Sequence, residues 1–151
     1  MAWLENNQFW KLRTKHGKDK LFSSPDVLWQ EALNYFNWCE ENPLIEIDYK
    51  GKDADRVEIP KLRAFTWTGL EFFLGITSLR WYKTSDTHAE FKDVITRIEQ
   101  VIYTQKLEGA AAGLLNPAII ARDLGLADRQ EHSGKDGAPI KIEHITGIEV
   151  K

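Results

Sequence analysis

The stretch from Thr96 to Leu126, TRIEQVIYTQKLEGAAAGLLNPAIIARDLGL, decides the fold that the sequence predicts. Apolar residues recur through it and just before it in steps of three and four, and the polar-tipped Gln105 continues the same face. The recurring positions are Phe91, Val94 or Ile95, Ile98, and Val101 or Ile102. This period places one apolar stripe along a helix, which predicts packing against a second helix.

A run of very small residues, Gly109 to Gly113, follows that stripe. Each glycine costs a helix about 1 kcal/mol relative to alanine, so we interpret the run as a place where two backbones pack closely. Asn116 and Pro117 then start a second helix as N-cap and first-turn residue, and Gly125 ends it. The pattern predicts a long helical hairpin over residues 88–126 that is built for assembly. Its predicted oligomerisation residues are Ile98, Ile102, Gly109, Ala111 and Ala112.

Upstream, local signals predict one helix and one β-hairpin. Ser24 caps a helix that begins at Pro25 and ends before Asn42, with Val27 among the residues of its apolar face. Two alternating segments then flank a polar loop that contains Gly51. The segments, residues 44–49 and 56–59, predict a small hairpin with an acidic exposed side.

A two-helix unit follows the hairpin. Thr66 or Thr68 can start its first helix, and Thr68 with Glu71 has the spacing of a capping box. Gly75 ends that helix, and Thr77 is placed to cap the second. The length of residues 66–83 and the positions of their capping residues and glycine are typical of a helix-turn-helix. Two short helices of a core would have the same pattern.

Basic residues are unevenly placed, although the formal net charge is -3. One cluster lies in KLRTKHGKDK, residues 11–20, and is opposed only by Asp19. A second lies in and just before the helix-turn-helix-like unit. The predicted DNA-binding residues are Lys11, Arg13, Lys15, Lys18, Lys20, Lys61, Arg63, Arg80 and Lys83. A charge run is equally typical of a solvated face, so that interpretation stays open beside the phosphate-binding one.

The remaining composition predicts a soluble protein without catalytic groups. No apolar run is long enough for a transmembrane helix, and the N-terminus lacks the pattern of a signal peptide. A single Cys39 fits a reducing cytoplasm. The four histidines lack metal-ligand spacing, neither Gly17-Lys18 nor Gly134-Lys135 completes a phosphate-binding loop, and the acids of residues 40–58 fit exposed loops better than a nuclease. We expect no enzyme activity, no cofactor and no metal.

A collinear set of matches over residues 7–126 resembles the small terminase subunit, the DNA-packaging protein, of headful-packaging short-tailed phages. In the stretch from Thr96 to Leu126 the matches are Thr96-Arg97, Glu99-Gln100-Val101-Ile102-Tyr103, Gln105-Lys106, Gly109-Ala110-Ala111-Ala112, Leu114-Leu115-Asn116 and Ile119-Ile120-Ala121-Arg122-Asp123-Leu124-Gly125-Leu126. Upstream they are Asn7, Phe9-Trp10, His16-Gly17, Ser24-Pro25, Leu28-Trp29, Tyr35-Phe36, Asn42-Pro43-Leu44, Pro60-Lys61, Arg63-Ala64 and Trp81. The resemblance implies a non-enzymatic ring-shaped homo-oligomer, a nonamer, in the host cytoplasm. Such a ring recognises double-stranded viral DNA for packaging and recruits and regulates a large ATPase-nuclease subunit.

The C-terminal region predicts a strand rather than a DNA-binding tail. Residues 139–151 alternate apolar and charged positions after a polar linker, residues 127–138. The apolar side carries the further predicted oligomerisation residues Ile140, Ile142, Ile148 and Val150. A lone strand has unpaired edges, and copies related by rotation can pair in parallel and close a β-barrel. Pairing with the hairpin of the same subunit is the alternative.

The predicted architecture is therefore mainly α with a small β-hairpin and a C-terminal strand. It divides into a basic N-terminal segment (1–24), a helical core (25–126), the linker and the oligomerisation strand. The family pattern places a distinctly basic tail after the strand, whereas the charge here is balanced up to Lys151. This departure moves the predicted DNA contacts to the N-terminal segment and the helix-turn-helix-like unit. A dimeric helix-turn-helix transcriptional regulator and a structural adaptor without a DNA role remain alternatives.

Overall fold

The computed structural model describes residues 7–9 and 22–126, and in this part of the chain the fold is mainly helical with one two-stranded antiparallel sheet. The elements in chain order are α1 (Pro25–Glu41), β1 (Leu44–Lys50), β2 (Asp55–Lys61), α2 (Trp67–Leu74), α3 (Arg80–Thr84), a 3-10 helix (Asp86–Phe91), α4 (Lys92–Ala111) and α5 (Pro117–Asp123). The predicted helical class and hairpin are confirmed. The N-terminal basic cluster, the linker and the C-terminal strand lie outside the described residues.

Helix α1 forms as its local signals predict. The Ser24 hydroxyl accepts a hydrogen bond from the backbone N–H of Val27 at 3.3 Å, and Pro25 occupies the first turn. At the other end, the carbonyl of Trp38 accepts two bonds from Asn42, one from its backbone N–H at 3.0 Å and one from its side-chain amide at 2.9 Å. Val27 is 41% exposed, so its assignment to the apolar face was wrong. It lies one residue before the fully buried Leu28, about 100° around the helix.

The hairpin is longer than predicted and half-exposed on both faces. Its register runs from Leu44 opposite Lys61 to Lys50 opposite Asp55, so an apolar residue of one strand often faces a charged residue of the other. Such mixed pairs prevent either face from being fully buried. The side-chain amide of Asn7 donates to the carbonyl of Ile45 at 3.2 Å and accepts from its N–H at 3.1 Å. The side-chain amide of Asn7 thereby bonds the backbone N–H and C=O of Ile45 at the edge of β1, where no second strand pairs with them.

Helix α2 begins two residues earlier than the capping-box spacing indicates. Thr66 is its N-cap, and the hydroxyl accepts from the N–H of Gly69 at 3.0 Å. The carboxylate of Glu71 instead accepts from the distant backbone N–H of Leu79 at 2.9 Å, so the Thr68–Glu71 capping box was wrong. Gly75 ends the helix as predicted, with a left-handed φ of 70°.

The second helix of this unit also differs from its prediction. Thr77 does not cap it, because Leu79 holds the N-cap position of α3 without any side-chain bond. The tertiary bond from Glu71 satisfies the Leu79 N–H instead. A 3-10 helix then occupies residues 86–91, and His88 inside it has non-helical backbone angles (φ -127°, ψ 36°). The long helix therefore starts at Lys92, four residues later than predicted.

The apolar stripe of α4 forms one side of the core. Its buried residues are Ile95, Ile98 and Ile102, with Phe91 just before the helix, and they pack in one cluster with α1 and α2. The Tyr35 hydroxyl donates to the carbonyl of Thr66 at 3.3 Å and accepts from its N–H at 3.2 Å. Burial raises the pKa of Tyr35 to about 12, because the phenolate would lose its solvation. The hydroxyl therefore stays protonated as a structural donor.

The predicted helical hairpin of α4 and α5 is present and closely packed. A Cβ atom built on Gly109 would lie 2.8 Å from Leu115 Cδ1 and 3.0 Å from Leu62 Cδ2, so glycine permits this approach. Asn116 caps α5 through a 3.1 Å bond from the N–H of Ile119. The ammonium of Lys106, a residue only 7% exposed, lies 2.6 Å from the carboxylate of Asp123 and joins the two helices.

Replacing Thr66, the N-cap of α2, should lower the free energy of unfolding more than replacing Thr68, the cap that the sequence spacing indicated. We expect Thr66→Ala to lower the free energy of unfolding by about 1 kcal/mol, because the Gly69 N–H loses its acceptor. Thr68→Ala, at an exposed position inside the first turn of the helix, should leave it within about 0.5 kcal/mol of wild type. Urea unfolding at a fixed protein concentration measures both. A larger loss of stability for Thr68→Ala than for Thr66→Ala would instead support the capping box of Thr68 and Glu71.

For the Lys106–Asp123 pair, we expect removal of the half-exposed carboxylate to lower stability more than removal of the buried ammonium. Asp123→Asn leaves a buried ammonium without its counter-charge, and we expect a loss of about 1 to 3 kcal/mol, below the range for fully buried pairs because the Asp123 side chain is 50% exposed. Lys106→Met keeps the aliphatic volume and removes the charge, so its loss should be smaller. If Lys106→Met is the more damaging change, the ion pair is not what stabilises the hairpin.

Candidate nucleic-acid interface and assembly surfaces

The described body of the protein is acidic. Residues 22–126 contain 16 aspartate and glutamate residues against 11 lysine and arginine residues, a formal charge of -5. Residues 11–20, outside the described part, contain five basic residues against one acidic residue. A field of this sign does not attract a phosphate backbone to the body as a whole. Any DNA contact by the body must therefore come from individual exposed cations.

Two of the four predicted cations in the body form surface ion pairs. Lys61 Nζ lies 2.8 Å from Glu46 Oε2 across the hairpin, and Lys83 Nζ lies 2.5 Å from Glu99 Oε2, which joins α3 to α4. All four side chains are between about a third and just over a half exposed. Exposed pairs of this kind contribute about 0 to 1 kcal/mol, so a phosphate can compete for either lysine.

Arg63 is part of the fold. Its Nε donates to the carbonyl of Asn42 at 2.7 Å, and its guanidinium lies 5.0 Å from the ring centre of Trp38. Burial lowers the pKa of Arg63 from its ordinary value. Gln105 donates to the backbone carbonyl of the same residue at 3.1 Å. Through these contacts, Arg63 holds the segment between β2 and α2 in place. The sequence alone cannot distinguish this structural role from phosphate binding.

The helix-turn-helix-like unit places Arg80 on the surface but does not form a long second helix. Helix α3 has five residues, a rise of roughly 7.5 Å, which is short for a helix that must lie along a DNA groove. Arg80 is exposed at its start, and the next residue, Trp81, is 52% exposed. Trp81 contacts the ring of His88 at 5.1 Å between centroids. Arg80 is thus the cation of this unit that is best placed for a backbone contact.

The predicted assembly residues divide into buried and exposed ones. Ile98 is fully buried and Ile102 is 6% exposed within the core of the subunit, and Gly109 is covered by Leu115 and Leu62. These three positions have almost no surface to offer a second copy. Ala111 and Ala112, at the end of α4, are exposed. Residues 140, 142, 148 and 150 lie outside the described part of the chain.

Sequence reasoning missed a second apolar row on α4. Tyr103 and Leu107 are 43% and 39% exposed, and Ala111 continues the same face at a further step of four. Leu114 and Ile119, beyond the helix, are also more than 60% exposed. The spacing of this row is visible in the sequence. It was overlooked because the richer stripe of Ile95, Ile98 and Ile102 decided the orientation of the helix.

Among the described residues, neither a metal-binding cluster nor a reactive thiol is found. Nowhere in residues 7–9 and 22–126 do three or more histidine, cysteine, aspartate or glutamate side chains group together as a metal site would require. The Cys39 thiol is buried, and burial raises its pKa, which disfavours the reactive thiolate. In the same part of the chain, no helix combines the length and apolar character needed to cross a membrane.

Comparison with known proteins assigns the chain to a family. The model of the family described as DNA-packaging protein gp3 matches residues 17–132. The terminase small subunit of Salmonella phage P22 is 45% identical over 134 residues, an alignment that covers 87% of this chain and 82% of that protein. The match includes the hairpin, the two-helix unit and the whole α4–α5 hairpin. The family resemblance seen in the sequence is thus confirmed, and this chain belongs to the DNA-packaging protein gp3 family.

Proposed function

We propose that this protein is the small terminase subunit of a phage, which forms a ring-shaped homo-oligomer in the host cytoplasm, recognises viral DNA for packaging, and recruits and regulates a separate large ATPase-nuclease subunit. The observation that carries the proposal is the 45% identity, over most of both chains, to a protein named as a terminase small subunit. The role is one of recognition and regulation. Catalysis belongs to the large subunit.

The charge distribution supports DNA contact through the N-terminal basic cluster. The body carries -5, while residues 11–20 bring four net positive charges per copy. A ring repeats this cluster once per subunit, so weak contacts act together on one DNA molecule. Arg80 adds an exposed cation from the body, whereas Arg63 is held by Asn42 and Trp38. The expected mode is contact with the phosphate backbone, which positions DNA but selects sequence weakly.

Assembly is proposed to use two parts of the chain. The exposed end of α4, with Ala111 and Ala112, supplies a helical contact between subunits. Residues 139–151 supply a strand, and strands of neighbouring copies pair in parallel to close a barrel without free edges. The short α3 counts against the alternative of a transcriptional regulator, which needs a recognition helix and a two-fold symmetric dimer.

The salt dependence of DNA binding tests the basic cluster. Replacing Lys11, Arg13, Lys15, Lys18 and Lys20 together by glutamine should reduce the slope of log affinity against log salt, by about 0.9 for each phosphate that the variant no longer neutralises. As a matched control, glutamine at the exposed hairpin cations Lys50, Lys52 and Arg56 should leave the slope unchanged. Fluorescence anisotropy with labelled duplex DNA measures both. An unchanged slope in the fivefold variant excludes residues 11–20 from the DNA contact.

Native mass spectrometry tests the ring and the barrel. The full chain should give one closed oligomer well above a dimer, whereas a predominant dimer would favour the regulator. A chain truncated after Gly137 should keep its helical circular dichroism signal and form a less stable or more variable ring, because it lacks the strand. Identical mass spectra and identical dissociation on dilution for the two chains would exclude the intersubunit barrel.

A further inference from the structure

Among residues 7–9 and 22–126, Trp81 is the tryptophan whose ring lies most open to solvent. It is 52% exposed, whereas Trp29, Trp38 and Trp67 are partly buried against the core. In the described chain, no other large apolar side chain from residue 50 to residue 102 is exposed. A lone exposed ring is common on protein surfaces. Trp81 stands out through the way its ring is held and through the residues around it.

An aromatic cluster holds the Trp81 ring from behind. Its ring centre lies 5.1 Å from that of His88 and 5.2 Å from that of Tyr82, both in edge-to-face geometry. Tyr82 is 4% exposed and packs in turn on Phe91, with 5.2 Å between the ring centres. The exposed ring is thus mounted on the core in one orientation. A ligand that stacks on it therefore orders little that is not ordered already.

The chain around Trp81 has the charge that a nucleic acid needs. Residues 77–85, TSLRWYKTS, contain two basic residues and no acidic one before Asp86 follows, in a body whose formal charge is -5. Arg80 is exposed and forms no ion pair with any residue that the structure describes. Lys83 already has an ion-pair partner on α4. Arg80 is therefore the free cation beside the exposed ring.

We propose that Trp81 stacks on an unpaired base of DNA while Arg80 binds a neighbouring phosphate. This inference rests on the proposed recognition of DNA, and it adds a preference for locally unpaired DNA that phosphate contacts alone do not give. Proteins hold unpaired nucleotides by combining an aromatic ring for the base with a cation for the backbone. In a duplex the faces of the bases are covered by stacking, so this contact forms only where a base is free.

A nucleotide fits this surface better than an apolar partner protein does. The core of a protein interface buries several contiguous apolar residues, whereas the chain neighbours of Trp81 include the exposed polar residues Thr77, Ser78 and Arg80. A nucleotide presents one flat base beside one phosphate, which matches one ring beside one cation and two hydroxyl groups. Reading of paired bases in a groove fits less well, because α3 has only five residues.

Binding of the full-length protein to two blunt-ended duplexes tests the inference. One duplex carries 2-aminopurine paired with thymine, and the other carries it as a single unpaired bulge. The wild-type chain should bind the bulged duplex more tightly and quench its 2-aminopurine fluorescence, because a base stacked on indole loses emission. Trp81→Ala should weaken binding to the bulged duplex by about 5- to 100-fold, abolish the quenching and leave the affinity for the paired duplex unchanged. Trp81→Phe should keep most of the preference, because a phenyl ring still stacks.

Two further variants separate stacking from other effects. Tyr49→Ala removes a ring that is 64% exposed on the hairpin and should alter neither affinity nor quenching. Arg80→Gln should weaken binding to the bulged duplex and reduce its dependence on salt, but 2-aminopurine should still be quenched at saturating protein. Circular dichroism should show that every variant folds, because the replaced side chains are exposed.

Three outcomes overturn the inference. They are equal affinity of the wild-type chain for the two duplexes, quenching that persists in Trp81→Ala, and a changed oligomer mass for Trp81→Ala, which would show that a second copy covers the ring. If the wild-type chain assembles and binds paired duplex without any preference, the proposed function stands and only the base contact fails. Failure to bind either duplex would contradict the proposed function itself, and the base contact with it.

Discussion

The irregular segment between β2 and α2, residues 62–66, is the constraint on which the rest of the fold depends. It bonds to both α1 and α4, and Phe65 within it is buried while its neighbours are half-buried, so its backbone polar groups need partners in the protein. Tyr35 of α1 bonds both backbone groups of Thr66, and Gln105 of α4 donates to the carbonyl of Arg63 and accepts from the N–H of Phe65 at 3.0 Å. Four side chain to backbone bonds thus link two helices through one loop. With that loop fixed, Thr66 can cap α2 and Leu62 can cover Gly109.

The same bonds explain which predictions from sequence succeeded. Ser24, Gly75 and Asn116 act on backbone groups within a few residues, so their roles can be read from local sequence. Thr68 and Thr77 failed because distant groups decide the outcome. Tyr35 fixes the backbone at Thr66 as the cap, and Glu71 is drawn to the N–H of Leu79. Gln105 was correctly placed on the inner face of α4, but its backbone partners, forty and forty-two residues away, have no local signature.

The candidate site was harder to predict than the fold, because the type of a residue does not reveal which contacts its side chain makes within the subunit. Arg63 and Lys83 were both chosen for their charge. The structure shows the guanidinium of Arg63 over the ring of Trp38 and the ammonium of Lys83 paired with Glu99, so both cations already have partners within the subunit. Likewise, an isoleucine in a helical stripe is equally apolar whether its own subunit or a neighbour covers it. Only the packing of Ile98 and Ile102 within the subunit, and the exposure of Tyr103 and Leu107, separates the two cases.

Helix α4 therefore faces the core on one side and solvent on the others, and the direction of a residue around the helix determines the effect of replacing it. A substitution in the buried stripe removes packing from the core, so folding itself is weakened. A substitution in the exposed row of Tyr103, Leu107 and Ala111 changes a surface that the subunit leaves open, so folding is retained. Gly109 and the Lys106–Asp123 pair make this separation possible, because they hold α5 against the inner half of α4. Were α5 instead packed across Tyr103 and Leu107, the helix would lose this exposed apolar surface. The close approach at Gly109 thus fixes which sides of the helix remain exposed.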